Sequence, residues 1–394
     1  MPPAALFALL AFVAMPPEPE QAKTPAVAVP AGAATPTSDS AVTEPEDPAA
    51  PGNADEADGD DGESESTNAP AVGPGIRYTR DVSDDELQRR WQKDPASLGS
   101  ISVGFADRGR LLNAVHMSDD AAWVCQRPEL AWGARETVEQ LSIAFRAVHK
   151  EFPESAPARL SHIGAKDGGY LRPHHSHQSG RDADIGFFYK TDAVPGARAR
   201  RERLIDLDRN WALLRALITL TDVQVILVDR GIQKLLRAHA LAVGEDRAWV
   251  DRIFHAGKAA LVQHASHHKD HFHVRFFAPR SQELGRRIQP LLAQRPDQNL
   301  VVHRVKRGQT LGSIARAYAT TVPAIQKANK LRRTFLSLDQ RLLIPLRKAC
   351  TRCPLPPPVV VPARWLPPDA LAAKPQASAS AGGAESTAAT SQAE

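Results

Sequence analysis

The sequence predicts an α+β fold built on a small, mostly antiparallel sheet with flanking helices. Segments of helical spacing and short alternating segments follow one another irregularly along the middle of the chain. Two histidine clusters, nearly a hundred residues apart, each lie on or beside a β-like run. Composition at both ends confines the folded part to about 270 of the 394 residues, enough for one domain of about 220 residues and a small module.

From the N-terminus, residues 4–14 form an apolar run of 11 residues, too short to span a bilayer and suited to a signal-peptide core, although no Lys or Arg precedes it. Residues 1–16 are therefore read as a signal peptide, and export to the periplasm or the extracellular space is expected. No other segment is long and apolar enough to be a transmembrane span. Residues 17–76 are Pro, Ala, Glu, Asp, Ser and Gly with almost no large apolar side chain. Such a stretch buries too little surface to offset chain entropy, which predicts a disordered acidic linker. Up to Gly75 about 13 acidic residues face one basic residue, so the formal net charge of +4 conceals a strongly basic remainder. A basic surface attracts polyanions. No basic stripe interleaved with aromatics supports nucleic acid as the partner; peptidoglycan with its anionic polymers or an acidic outer-envelope surface fits equally well, and charge alone does not choose.

Residues 133–152 read as an amphipathic helix, because Val138, Leu141, Phe145 and Val148 recur at spacings of three and four. Residues 160–165 alternate like a strand, and 168–180 have no periodicity and read as a loop. Residues 183–189 are β-like, 211–220 a helix, 223–228 a strand, 232–242 a helix, 249–261 a helix, and 270–276 a strand. Three cysteines are too few for a disulfide scaffold. Cys350 and Cys353 are read as a local disulfide at most, and Cys125 as a buried apolar residue. The tail 347–394 is read as disordered.

The chemistry lies in the histidines. Of 14, eight fall in the windows 174–177 and 264–273. Ser176-His177-Gln178-Ser179-Gly180-Arg181-Asp182-Ala183-Asp184 and His268-Lys269-Asp270-His271-Phe272-His273 together offer His177, Asp184 and His273. Two imidazoles and one carboxylate, with a fourth position left for water, are the donors of many catalytic zinc sites. In the second cluster, residues two apart on a strand share a face, so one histidine can bind metal while the other works beside it.

His-x6-Asp followed far downstream by His-x-His resembles the ligand pattern of the zinc peptidases that group lysostaphin, D-Ala-D-Ala carboxypeptidases and hedgehog-like folds. The fuller wording, with Asp206-Leu207-Asp208-Arg209-Asn210-Trp211 between the clusters, is similar to the penicillin-insensitive murein endopeptidases over residues 77–297. The resemblance implies a zinc endopeptidase that cuts peptide cross-links of peptidoglycan, including D-alanyl–diaminopimelyl bonds. It implies one Zn²⁺ per chain on His177, Asp184 and His273, its spacing selecting Asp184 over the rival Asp182. Alternation then turns Asp182 to the same face, as a hydrogen-bond partner behind the ligands. No Glu lies near either cluster to move a proton, and the resemblance gives that role to His271, with His268 stabilising an oxyanion. His174 matches a further family position, either supporting the ligands or touching substrate. His175, His264 and His267 are assigned to solvent. Arg172 and Arg275 could meet a substrate carboxylate, but a salt bridge within the protein is the commoner fate.

A second resemblance covers residues 301–346. Val302 to Ala315, Val322 to Asn329 and Leu342-Leu343-Ile344-Pro345 look like the successive parts of a LysM module in β-α-α-β order. It implies binding of N-acetylglucosamine-containing glycan through Gly308, Gln309, Thr310 and Leu311 on one side of a groove and Asn329 on the other. Leu311, Ile314, Ile325 and Leu343 are expected in its core. The leading expectation is an exported murein endopeptidase held on its substrate by this module. A D,D- or L,D-carboxypeptidase of the same zinc fold and a non-catalytic wall-binding protein with a structural zinc are the rivals.

Overall fold

A computed structural model describes residues 76–77, 81–171, 174, 176–191, 193–196, 199–255, 259–350 and 353–372. The apolar run 4–14, nearly all of the acidic segment 17–76, Arg172, His175 and the end of the tail lie outside the described residues. Among the described residues no helix is long and apolar enough to cross a membrane.

The centre of the larger folded part is a six-stranded sheet in the order Val262–His264, Val223–Val228, His271–Phe276, Asp182–Gly186, Ala158–His162, Trp123–Cys125. Its three inner junctions are antiparallel and its two outer ones parallel. This is the mixed α+β architecture expected. Alternation along the two central strands divides the sheet into a dry face and a polar face. Ala183, Ile185, Phe272, Val274 and Phe276 enter one apolar core together with Leu141, Phe145 and Val148 of helix Arg135–Glu151 and with Leu213, Leu214 and Leu217 of helix Leu207–Leu220. Asp182, Asp184, His271, His273 and Arg275 occupy the alternate positions.

The helix Leu207–Leu220 starts four residues earlier than its apolar spacing suggests, because Asp206 caps it by accepting the Arg209 amide at 2.9 Å. Within the family-like stretch, Asn210 is fully buried and clamps Phe188 through both its amide and its carbonyl. The helix expected over 249–261 is observed over Arg247–His255, and residues 256–258 are outside the described set.

Helix Asp84–Lys93, the hairpin Ile101–Gly104/Gly109–Leu112 and helix Pro279–Ile288 form a second core around Leu87, Trp91, Leu98, Ile101, Leu284 and Ile288. Gly285 permits this packing, since a Cβ there would lie 1.8 Å from the Ser102 carbonyl oxygen.

Strands Leu300–Arg304 and Arg341–Pro345 pair antiparallel, with helices Leu311–Ala317 and Val322–Ala328 between them in sequence. Their core contains Leu311, Ile314, Ile325, Leu342 and Ile344. Leu343 is only half-buried, one position out of the expected register, and its neighbours Leu342 and Ile344 point inward instead.

The tail corrects the sequence expectation. Cys350 and Cys353 form a disulfide. Beyond it the chain returns to the larger folded part: Val360–Val361 pairs with Ile76–Arg77, and Trp365 is 4 % exposed within the main core. The Trp249 indole N–H donates to the Trp365 carbonyl at 2.8 Å. A Pro/Ala-rich composition conceals this anchor because one buried aromatic barely alters the average over the whole tail.

Candidate metal centre

Cross-strand register builds the site. His273 lies directly opposite Asp184, and Arg275 directly opposite Asp182, on adjacent antiparallel strands. His273 Nδ1 is accordingly 3.0 Å from Asp184 Oδ1. Arg275 grips Asp182 through Nε at 2.6 Å and Nη2 at 3.2 Å. This fork engages the guanidinium inside the protein, and Asp182 lies beneath Asp184 and His273 on the same face.

The loop before the aspartate strand supplies His177, whose φ of 64° is the left-handed region. Two hydrogen bonds hold it there. Its backbone N–H donates to Asp182 Oδ2 at 2.9 Å, and its Nδ1 donates to the Ile163 carbonyl at 2.9 Å. With Nδ1 committed to that carbonyl, Nε2 is the ring atom turned to the centre, 3.3 Å from Asp184 Oδ1. His177 and His273 thus converge on one oxygen of one buried carboxylate.

The other oxygen, Oδ2, is ringed by His162 Nε2 at 3.2 Å, His271 Nε2 at 3.8 Å and His174 Nδ1 at 3.9 Å. His162 was missed by the sequence reading. Simple alternation puts it on the same face as Leu160, in the core. A register irregularity between Leu160 and His162 brings it opposite Asp184 instead. Donor atoms of His162, His174, His177 and Asp184 all lie within 4.8 Å of one another.

His271 is oriented by Asp270, whose Oδ1 accepts from Nδ1 at 2.7 Å, and Arg201 stands 3.5 Å from the other Asp270 oxygen. His268 donates from Nδ1 to the Ser266 carbonyl at 2.9 Å, and its ring centroid is 4.8 Å from that of His271. His264 and His267 are exposed, as expected.

Electrostatics separate the imidazoles. Burial pulls His174 and His268 down to about 4. Burial also opposes charge on His177, but the Asp184 carboxylate more than offsets it and His177 is pushed up to about 9. Burial would raise Asp184, yet His177 and His162 hold its carboxyl well below the usual range. Asp182 is held low against its own burial chiefly by the Arg275 guanidinium. His271 is raised because Asp184 and Asp270 outweigh its burial.

Buried polar atoms normally have partners. His162 Nδ1 and Nε2, His174 Nε2, His177 Nε2 and Asp184 Oδ1 are buried without a hydrogen bond. Nitrogen and oxygen donors crowded together in this way match a divalent cation of the zinc class.

The proposed glycan residues are placed differently. Leu311 is buried core, Thr310 caps its helix, and Gln309 Oε1 accepts the Lys306 amide while lying 2.8 Å from His303 Nε2. Asn329 bonds Ile325 and both backbone groups of Leu343. Gly308, at φ 80° with open space around its α-carbon, keeps its backbone accessible. The side chains of Gln309, Thr310, Leu311 and Asn329 are thus engaged within the module itself.

A family model described as penicillin-insensitive murein endopeptidase matches residues 102–298, half of the chain. A LysM domain model matches residues 303–345. No curated protein matches the chain.

Proposed function

The chain belongs to the penicillin-insensitive murein endopeptidase family and carries a LysM domain, and from that premise we propose an exported zinc peptidase that hydrolyses D-alanyl–diaminopimelyl cross-links of peptidoglycan. A peptidoglycan hydrolase with a cell-wall-binding domain is the coarser statement that both family matches support. The catalytic domain is assigned to residues 77–297 and the glycan module to 301–346.

The observation that carries the reading is the division of labour around Asp184. His177 Nε2 and His273 Nδ1 meet at Oδ1, and these three groups are the proposed ligands of one Zn²⁺. His162, His174 and His271 gather at Oδ2, where they support the carboxylate and face substrate. Held by these residues, a zinc ion would supply Lewis acidity for a scissile carbonyl and would lower the pKa of a nearby water toward 7. The protein's own groups do the rest. His271, with Nδ1 fixed on Asp270, keeps Nε2 aimed at the centre to accept the water's proton and pass it to the leaving amine. His268 is the proposed oxyanion partner: with Nδ1 donating to the Ser266 carbonyl, its Nε2 can donate only in the imidazolium form, which burial opposes in the metal-free centre and a developing negative charge beside it would favour. Asp182 holds His177 in place through the His177 amide.

Zinc content and muropeptide release, measured on one purified sample, test this. About one zinc per chain is expected, together with conversion of cross-linked dimers to monomers. His177→Ala, Asp184→Ala and His273→Ala should each lose both. Loss of a terminal residue from monomers would instead identify a carboxypeptidase. Full metal in any two of the three variants would overturn the ligand assignment.

A further inference from the structure

The LysM module touches the catalytic half where the metal-ligand loop is anchored. Arg341, the first residue of its closing strand, donates through Nη1 to the Asp107 carbonyl in the tight turn between the hairpin strands. The same carbonyl accepts from Gln178 Nε2 at 2.6 Å, and Gln178 directly follows His177. Gln178 is tied to that region again by its amide, which donates to Ala106 at 3.1 Å, and its own carbonyl accepts from Gly169 at 2.8 Å. The Arg341 guanidinium also lies 5.7 Å from the centroid of the Tyr170 ring, in the loop that leads to His174. A Cβ on Gly169 would be 3.9 Å from Leu343 Cδ2, so the half-buried Leu343 covers the base of this loop.

The module is also fixed at both of its ends. Before its first strand, Arg110 holds the Gln298 carbonyl at 2.8 Å and its side-chain oxygen at 2.9 Å. After its last strand the disulfide and buried Trp365 return the chain to the catalytic core. A module tethered only by a linker needs none of these contacts.

We propose that Arg341 is a positioning residue for the peptidase centre, acting through the Asp107 carbonyl and the Tyr170 ring on the loop that presents His177 and His174. The LysM module is then part of the catalytic architecture, besides any hold it has on glycan. This rests on the peptidase reading of the centre. Catalytic geometry tolerates little error: a displacement of about 1 Å can cost on the order of 100-fold in rate.

The test uses full-length, zinc-loaded Arg341→Ala, Arg341→Lys and Tyr170→Leu proteins, each checked for cooperative thermal unfolding. The substrate is a soluble cross-linked muropeptide dimer, too small to need glycan tethering. For Arg341→Ala, kcat should fall about 10- to 100-fold with KM and co-sedimentation with sacculi unchanged. Arg341→Lys, which retains a cationic donor, should recover part of the loss, and Tyr170→Leu should reproduce it in milder form. Independently of activity, zinc should pass to a competing chelator faster, and the amides of Gly168, Gly169, His177 and Gln178 should exchange hydrogen faster. Wild-type kcat, zinc release and loop exchange in both Arg341→Ala and Tyr170→Leu would overturn the proposal. Wild-type protein that binds zinc but leaves dimers intact would refute the peptidase reading, while the chelator and exchange measurements would still decide the positioning role.

Discussion

Removing the Asp182 carboxylate tests how the centre is built from beneath. Asp182 is 1 % exposed and Arg275 4 %, and their fork is supplemented by the His177 amide. Asp182→Ala leaves a buried guanidinium without its counter-charge and a buried N–H without its acceptor. Breaking a buried pair from one side typically costs about 3–5 kcal/mol. At about 2–4 °C per kcal/mol for a domain of this size, the melting temperature should drop by roughly 6–20 °C. The measurement is best made on metal-free protein, so that zinc affinity does not enter. The pH dependence has a definite sign, because the carboxyl is held far below its ordinary value. Its contribution is complete above the unfolded carboxylate pKa of about 3.9 and is lost as pH falls toward the folded value. The double variant Asp182→Leu/Arg275→Met removes both charges and should regain most of the stability. It should not regain zinc affinity. His177 would keep a φ of 64° without the bond that fixes it, and loss of such support weakens metal sites about 10- to 100-fold. Wild-type zinc affinity in the double variant, by chelator competition, would refute the idea that Asp182 positions His177.

Three further outcomes follow. His271→Ala should retain zinc yet lose about 10²- to 10⁴-fold in turnover, with Asp270→Asn intermediate, since it removes only the orientation of the ring; wild-type turnover in His271→Ala would transfer the proton to another group. With His177 near 9 in the metal-free centre, zinc uptake at neutral pH should release about one proton from it, and apparent affinity should rise with pH until that value is passed. Calorimetry in buffers of different ionisation enthalpy reads the proton, and a buffer-independent heat would contradict it. Trp365→Ala should destabilise the catalytic core by roughly 3–5 kcal/mol in urea unfolding, whereas a peripheral tail would give a change within about 0.5 kcal/mol.

The central strands were legible because their chemistry follows a period of two. His271, His273, Asp182 and Asp184 could be placed on one face from spacing alone, and the register then brought Asp184 against His273. His162 was illegible for the opposite reason, since one irregularity in the ladder moves it from the core face to the polar face without any mark in the residues themselves. Asp270 was visible in the motif, but its hold on His271 depends on a side-chain torsion that spacing does not encode. Leu343 shows the same limit in a short, apolar strand, where Leu342-Leu343-Ile344 offers either parity. Trp365 and Arg341 act through contacts more than a hundred residues away in sequence, and periodicity carries no information at that range.

The returning tail bears on when the enzyme becomes whole. Its core receives Trp365, and the strand at Ile76–Arg77 receives its partner at Val360–Val361, only after the glycan module has been synthesised. Closing so long a loop is a late and slow step in folding. A chain still emerging from the ribosome therefore lacks a piece of its own interior. For a peptidoglycan hydrolase, this makes the core complete only once the segment beyond the LysM domain has been made.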